Sequence, residues 1–215
     1  SDNAESSNWQ ASTVDNGTPG AANSEAATIT SYTVNEINTT DVVGQLVSTQ
    51  GVVTGVYSGS TDRFSISDGT GAASGLWIVG SDGASIGDLV TVEGTVSDSN
   101  GLLRIEVSSV RVDSSGNALP EPVVLGTGAL LSNDYVGVLV RTAGTCDQVN
   151  ADAASGNDYG EWSLDDGTGS IRVDDLGYDF ALQMLGVSYQ VTAPLFYSYS
   201  NYKLVPRSEA DIEAQ

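Results

Sequence analysis

Two stretches of the sequence hold side-chain oxygens at a density suited to a metal ion. Asp147, Asn150, Asp152, Asn157 and Asp158 fall within one loop-like segment, and Asp165, Asp166, Asp174, Asp175 and Asp179 follow around an Asp-Gly-Thr-Gly run. Calcium takes about six to eight oxygens from carboxylates, amides and backbone carbonyls, and loops dense in Asp, Asn and Gly supply them without disturbing a core. The expectation is calcium at one or more of these loops, with Asp147, Asp152, Asp158, Asp165, Asp166, Asp174, Asp175 and Asp179 as the candidate ligands. Neither group has EF-hand spacing. The Asp-Gly-Thr-Gly run also reads as a hairpin turn, in which Asp68 or Asp166 bonds its own backbone and glycine supplies a positive φ.

Other chemistries are closed off. The chain has no histidine and one cysteine, Cys146, so Ser/His/Asp and Cys/His nucleophile systems, Cys/His zinc sites and an intrachain disulfide are all excluded. Adjacent carboxylates such as Asp165 with Asp166, or Asp174 with Asp175, point to opposite faces of a strand and cannot act jointly on one bond. The chain therefore reads as non-catalytic. An aromatic run, Phe196 to Lys203, together with Arg172 and Arg207, has the make-up of a ligand face that stacks bases and follows a backbone with cations: Arg172, Lys203 and Arg207. Charge opposes that use. With 28 Asp and Glu against 7 Lys and Arg, the formal charge is −21, and nucleic-acid affinity depends on cations neutralising phosphates. Tyr197, Tyr199 and Tyr202 accordingly read as contacts for a protein partner, since tyrosine offers rigid amphipathic area.

The elements that must position these groups are short strands. β-Branched and aromatic residues alternate with polar ones between Gly, Asp, Asn and Ser, as in residues 90–96 and 103–107, which is the pattern of strands with one buried face. Helix is expected only at Val34 to Leu46 and at Tyr178 to Leu185. No apolar run approaches the length of a membrane span, and the first residues have no basic or apolar leader. An exported protein whose signal is already removed fits both observations, and so does a surface in which only 16% of residues are charged.

Laid on itself at a shift of about 100 residues, the chain repeats. Phe64 to Gly71 (FSISDGTG) matches Trp162 to Gly169 (WSLDDGTG), and Ile86-Gly87-Asp88 matches Leu185-Gly186-Val187. The expected division is an extended arm over residues 1–31, one domain over 32–118 and a second over 119–215, with Pro120 and Pro122 at the joint.

Each repeat resembles the OB-fold domains of secreted bacterial multidomain proteins, extracellular nucleases among them. The likeness rests on the GVVTGV first strand, the FSISDGTG hairpin, the GLWI strand, the GDLVTVEGTV strand and the closing NGLLRI strand. It runs from Tyr32 to Leu125 and from Val138 to Ile212, departing where Asp88 becomes Val187 and Gly94 becomes Ala193. The resemblance implies an all-β fold of two OB-fold-like barrels in tandem, preceded by an extended N-terminal arm. Residues 8–23, with Trp9 and Val14, resemble the last strand of a lamin-tail-like β-sandwich. That likeness implies strand addition to a partner, with Trp9 and Val14 filling its pockets. Two functions follow as expectations. One is an extracellular structural subunit, joined through its arm to copies of itself or to another extracellular protein and braced by calcium. The other is a ligand-binding module for single-stranded nucleic acid or polysaccharide.

Overall fold

The computed structural model of the chain describes residues 28–80 and 83–215; Trp9 and Val14, with the proposed arm, lie outside these. Strand β1 (Thr30–Ser31) leads into helix α1 (Val34–Thr39). Thr33 begins the helix with a capping box: its hydroxyl accepts from the Glu36 amide while the Glu36 carboxylate accepts from the Thr33 amide. Val34 and Ile37, three apart, share the buried face. The helix is shorter than the Val34 to Leu46 expected. Thr39 turns its hydroxyl back onto the Asn35 carbonyl, Thr40 is extended, and Gly44 takes a φ of 85° that redirects the chain into a strand.

Five strands then close on themselves. They are β2 (Leu46–Tyr57), β3 (Arg63–Ser67), β4 (Gly75–Val79), β5 (Leu89–Ser99) and β6 (Leu102–Ser114). Hydrogen bonding runs β2-β3-β4-β6-β5 and returns from β5 to β2, with β4 and β6 parallel and the other neighbours antiparallel. This is the order of an OB-fold-like barrel. Val47, Val53, Ile66, Leu76, Ile78, Val92 and Ile105 point inward, and Val34 and Ile37 of α1 plug one end.

A second sheet contains β7 (Val123–Val124), β8 (Leu139–Gln148), β9 (Trp162–Asp165), β10 (Ile171–Val173), β11 (Ser188–Ser198), β12 (Asn201–Leu204) and β13 (Ile212–Ala214). Its order is β13-β11-β12-β10-β9-β8-β7, and β8 also pairs with β11. The ring β8-β9-β10-β12-β11 thus repeats the order of the first, down to the parallel third and fifth strands. Local details repeat as well. The first strand of each ring bulges, at Thr54 and at Asp147. Gly87 donates to the Val53 carbonyl, and Gly186 donates to that of Cys146; both glycines have positive φ. In the first ring Asp68 accepts from the amide of Val34, the first residue of α1. In the second Asp166 accepts from Thr127, the first residue of a single 3-10 turn whose Leu130 enters the core. The Asp of each DGTG hairpin therefore ties the hairpin to a short helix that packs on the core of the same sheet. Residues 178–185 are irregular backbone with short turns, not the helix expected. Tyr189 supplies the local bonding instead, its hydroxyl accepting from the Met184 amide and donating to the Leu182 carbonyl.

The two sheets share a third core made of Tyr57, Trp77, Leu102, Phe196 and Val205. Trp77 donates its indole N–H to the Leu195 carbonyl at 2.8 Å, and Tyr57 donates its hydroxyl to the Val205 carbonyl at 3.0 Å. Trp77 packs edge-on to Phe196, whose ring also carries the Arg63 guanidinium. Backbones come into direct contact where Gly75 meets Gly137: a Cβ on Gly75 would collide with the Gly137 carbonyl. Gly75→Ala is therefore expected to separate the two halves while leaving each folded. Calorimetry should show one unfolding transition splitting into two, and small-angle scattering a larger radius; an unchanged single transition would contradict the shared core.

Candidate ligand-binding face on the second barrel

Superposing the repeats by register pairs the outer faces residue by residue. Ser65 stands across from Trp77 in β3 and β4, and Ser163 stands across from Arg172 in β9 and β10. Trp77 lies beside Arg104, and Arg172 beside Lys203. Leu102 and Asn201 are each the first residue after a two-residue hairpin loop. Tyr57 and Asn150 each follow the bulge by three residues. In the first barrel Tyr57, Trp77 and Leu102 are buried against the second sheet. Their counterparts are Asn150, Arg172 and Asn201, all polar. Gly75 has Ser170 as its counterpart, so the second face carries a side chain where the first permits backbone contact.

The second face is open. A cavity of about 400 Å³ is lined by Leu131, Gln148, Ala151, Ser163, Ser170, Arg172, Ser200, Asn201 and Tyr202. Apart from Leu131, which follows the 3-10 turn, and Ser170, just before β10, these come from β8, β9, β10 and β12 and from the loops after the first and fourth strands of the ring, the side on which OB folds hold ligands. A second hollow of about 360 Å³ lies beside the first barrel, near Gln50, Asp68 and Leu119.

An ion network underlies the face. Arg172 bonds Asp152 at 2.8 Å and Glu161 at 2.7 Å; Lys203 bonds Glu161, and Asp174 at 3.0 Å. Burial pushes the Lys203 ammonium down, but the Asp174 and Glu161 carboxylates outweigh it and lift the group above its ordinary value. Arg172 behaves likewise, lowered by burial and raised overall by Glu161 and Asp152. Asp175 is raised by burial and by Asp174, Asp179 and Glu161 nearby.

The residues singled out from sequence are thus distributed differently from expectation. Arg172 and Lys203 do lie on one face, but each is bound by two carboxylates and neither is a free cation for a phosphate chain. Arg207 is elsewhere, in the contact between the sheets, paired with Asp211 and donating to the Thr54 carbonyl. Tyr197 and Tyr202 pack on each other at 4.8 Å between centroids, and Tyr202 donates to Asn133. Tyr199 is the most exposed of the three, at 90%, with the Lys203 ammonium 5.8 Å from its ring centroid.

The candidate calcium ligands fall in several places: Asp174, Asp175 and Asp179 lie near one another beside Glu161, and the rest are apart from them. Asp147 accepts from Ser163 and Ser170, Asp158 from the Gly160 amide, and Asp165 from the Gly167 and Gly169 amides. Asp166 accepts from Thr168 and Thr127, and these hydroxyls hold its carboxyl well below the usual range. Asp152 and Asp174 are in the ion network. Among the described residues no group of three or more His, Cys, Asp or Glu side chains is placed to hold a metal. Asp174 and Asp175 follow β10, one strand away from the hairpin that holds Asp165 and Asp166. Sequence reasoning missed Gln148, Ser163, Ser170 and Asn201; aligning Trp77 with Arg172 and Leu102 with Asn201 within the repeat would have exposed the change from apolar to polar.

No family model matches the chain, and no curated protein matches it. Among solved structures it is similar to a putative aspartyl-tRNA synthetase from Leishmania major Friedlin at 13% identity, over 50% of this chain and 23% of that one, with a TM-score of 0.34. It is similar to the hypothetical protein ygiW from E. coli at 17% identity, over 39% and 89%, with a TM-score of 0.30. A third similar structure is the p204 HINb domain, at 14% identity over 82% and 99%, with a TM-score of 0.38. The chain spans less than a quarter of the synthetase. Strand order, rather than these likenesses, defines the class: an all-β, OB-fold-like protein, in whose described residues no helix is long and apolar enough to cross a membrane.

The ion network makes a pH prediction. Because the folded-state value of Lys203 is raised, its contribution is fully present below the unfolded value of about 10.4 and is lost as pH rises through the folded value. Lys203→Met leaves Asp174 without its cation and Glu161 with Arg172 alone, and should cost about 3 kcal/mol at neutral pH. In denaturant titrations the gap between wild type and variant should narrow above pH ~10.4; a gap independent of pH would remove the charge from the explanation.

Proposed function

We propose that the chain is a non-catalytic, extracellular interaction protein. In this reading it is a tandem pair of OB-like barrels in which the first spends its ligand side on holding the second, and the second presents its own. The exchange of Tyr57, Trp77 and Leu102 for Asn150, Arg172 and Asn201 carries the reading. Side chains on one strand set are apolar where they are covered and polar where they face a cavity, as a ligand site with a few converging polar groups requires. Absence of histidine and burial of Cys146 support a binding role over a chemical one. Screening a library of small polar fragments against isotopically labelled protein tests the location without knowing the ligand. Amide shifts should cluster at Gln148, Ser163, Ser170, Arg172 and Asn201. Shifts that cluster instead beside Gln50, Asp68 and Leu119, or that scatter, would overturn it.

One observation favours a second reading, a subunit of an extracellular assembly. Leu182, Met184 and Leu185 are 60–70% exposed in one loop, and Gln183 of that loop bonds the backbone of Val149, which is itself exposed. A contiguous apolar patch of this kind is typical of protein contacts. Copies carrying −21 each would need counter-ions such as calcium to pack. Electron microscopy with calcium and then with chelator decides it: filaments that dissolve on chelation and fail to form in Leu182→Ser/Leu185→Ser would establish the assembly, and isolated particles throughout would end it.

A further inference from the structure

The hairpin between β11 and β12 turns through Tyr199 and Ser200 at φ of 50° and 63°; the equivalent hairpin of the first barrel turns through Asn100 and Gly101 at 56° and 89°. Two-residue turns with both φ positive are made readily by Asn-Gly, because Asn tolerates the left-handed region and Gly has no Cβ. Tyrosine there is an outlier that costs stability, and such strain persists where something is gained from it. Tyr199 gains little packing in return: it is 90% exposed, and its ring has the Lys203 ammonium 5.8 Å from its centroid on one side. Asn201 fixes the turn by donating to the Tyr199 carbonyl, and Ser200 and Asn201 line the cavity.

We propose that Tyr199 is a stacking platform at the rim of this cavity and that its ligand is a neutral oligosaccharide; the proposal rests on the face being the binding site. An aromatic ring offers an apolar plane to the C–H face of a sugar. Beside it the Gln148 amide offers a donor and an acceptor, and the Asn201 carbonyl and the Ser163 and Ser170 oxygens, whose own protons go to Asp147, offer further acceptors for sugar hydroxyls. Charge selects against the other class that stacks on aromatics. Arg172 and Lys203 are each held by two carboxylates, and Asp175 and Asp179 add further negative charge, so a phosphate chain finds no unpaired cation among the cavity residues. An apolar ligand would take the Gln148 amide and the Asn201 carbonyl out of water without giving them partners.

The test is calorimetric and NMR titration of the full chain with neutral oligosaccharides (cello-, xylo-, manno- and chito-series), with oligothymidine as the anionic arm. The variant Tyr199→Asn/Ser200→Gly restores the turn residues of the first barrel. It should raise the melting temperature while weakening oligosaccharide binding about tenfold or more. Unchanged affinity in this variant, absence of binding across the neutral panel at millimolar concentration, or preferential salt-sensitive binding of oligothymidine would each overturn the proposal. Fragment shifts on the face with no oligosaccharide bound would leave the face standing and remove only the ligand class. Oligosaccharide shifts away from the face would remove both.

Discussion

Trp77 is the residue on which the arrangement depends. It sits on the outside of a closed barrel, where a side chain ordinarily meets water, and it is nevertheless fully buried. Burial of a side chain that large is worth several kcal/mol, but only if its indole N–H finds an acceptor. The Leu195 carbonyl is that acceptor, and it is available because the second sheet approaches close enough for Gly75 and Gly137 to touch backbone to backbone. Tyr57 repeats the logic: its hydroxyl reaches the Val205 carbonyl, and burial pushes the phenol up, keeping it a neutral donor. Apolar area and hydrogen-bond satisfaction therefore act together, and neither sheet can shift without breaking both.

The same repeat has been put to two uses. Its interior is kept: inward-facing strand residues, a bulge in the first strand, a positive-φ glycine bonded to that bulge region, and an Asp that ties the DGTG hairpin to a short helix packed on the core. Its exterior is altered at a few positions. Ser170 in place of Gly75 prevents the close approach that the first barrel permits, so the second face cannot receive another barrel in the same way. Arg172 in place of Trp77 brings a charge that needs Asp152 and Glu161, and this fixes the acidic loop before β9 against the face.

Acidic residues, numerous enough to invite a metal, are for the most part occupied one by one. Some hold turn amides, as Asp165 and Asp158 do; some hold helix ends, as Asp68 and Asp166 do; others neutralise the face cations. A carboxylate accepting several N–H or O–H groups is already solvated by the protein.

The sequence by itself determined the class of fold and its internal repetition. Alternation of Val, Ile and Leu with polar residues reports which side of a strand is buried within its own barrel, and the FSISDGTG and WSLDDGTG runs mark the same hairpin twice. Its helix assignments were less secure: α1 stops early at Thr39 and Thr40, and residues 178–185 are held by Tyr189 instead of a helical ladder. Only the tertiary structure decided which outer faces are wet. Trp77 and Leu195 are far apart in sequence and meet through the docking of two closed surfaces, so no local pattern announces the contact. The pairing of Arg172 and Lys203 with acids likewise depends on β10 and β12 being neighbours. Periodicity is a property of one strand, whereas exposure of an outer face depends on what lies against it.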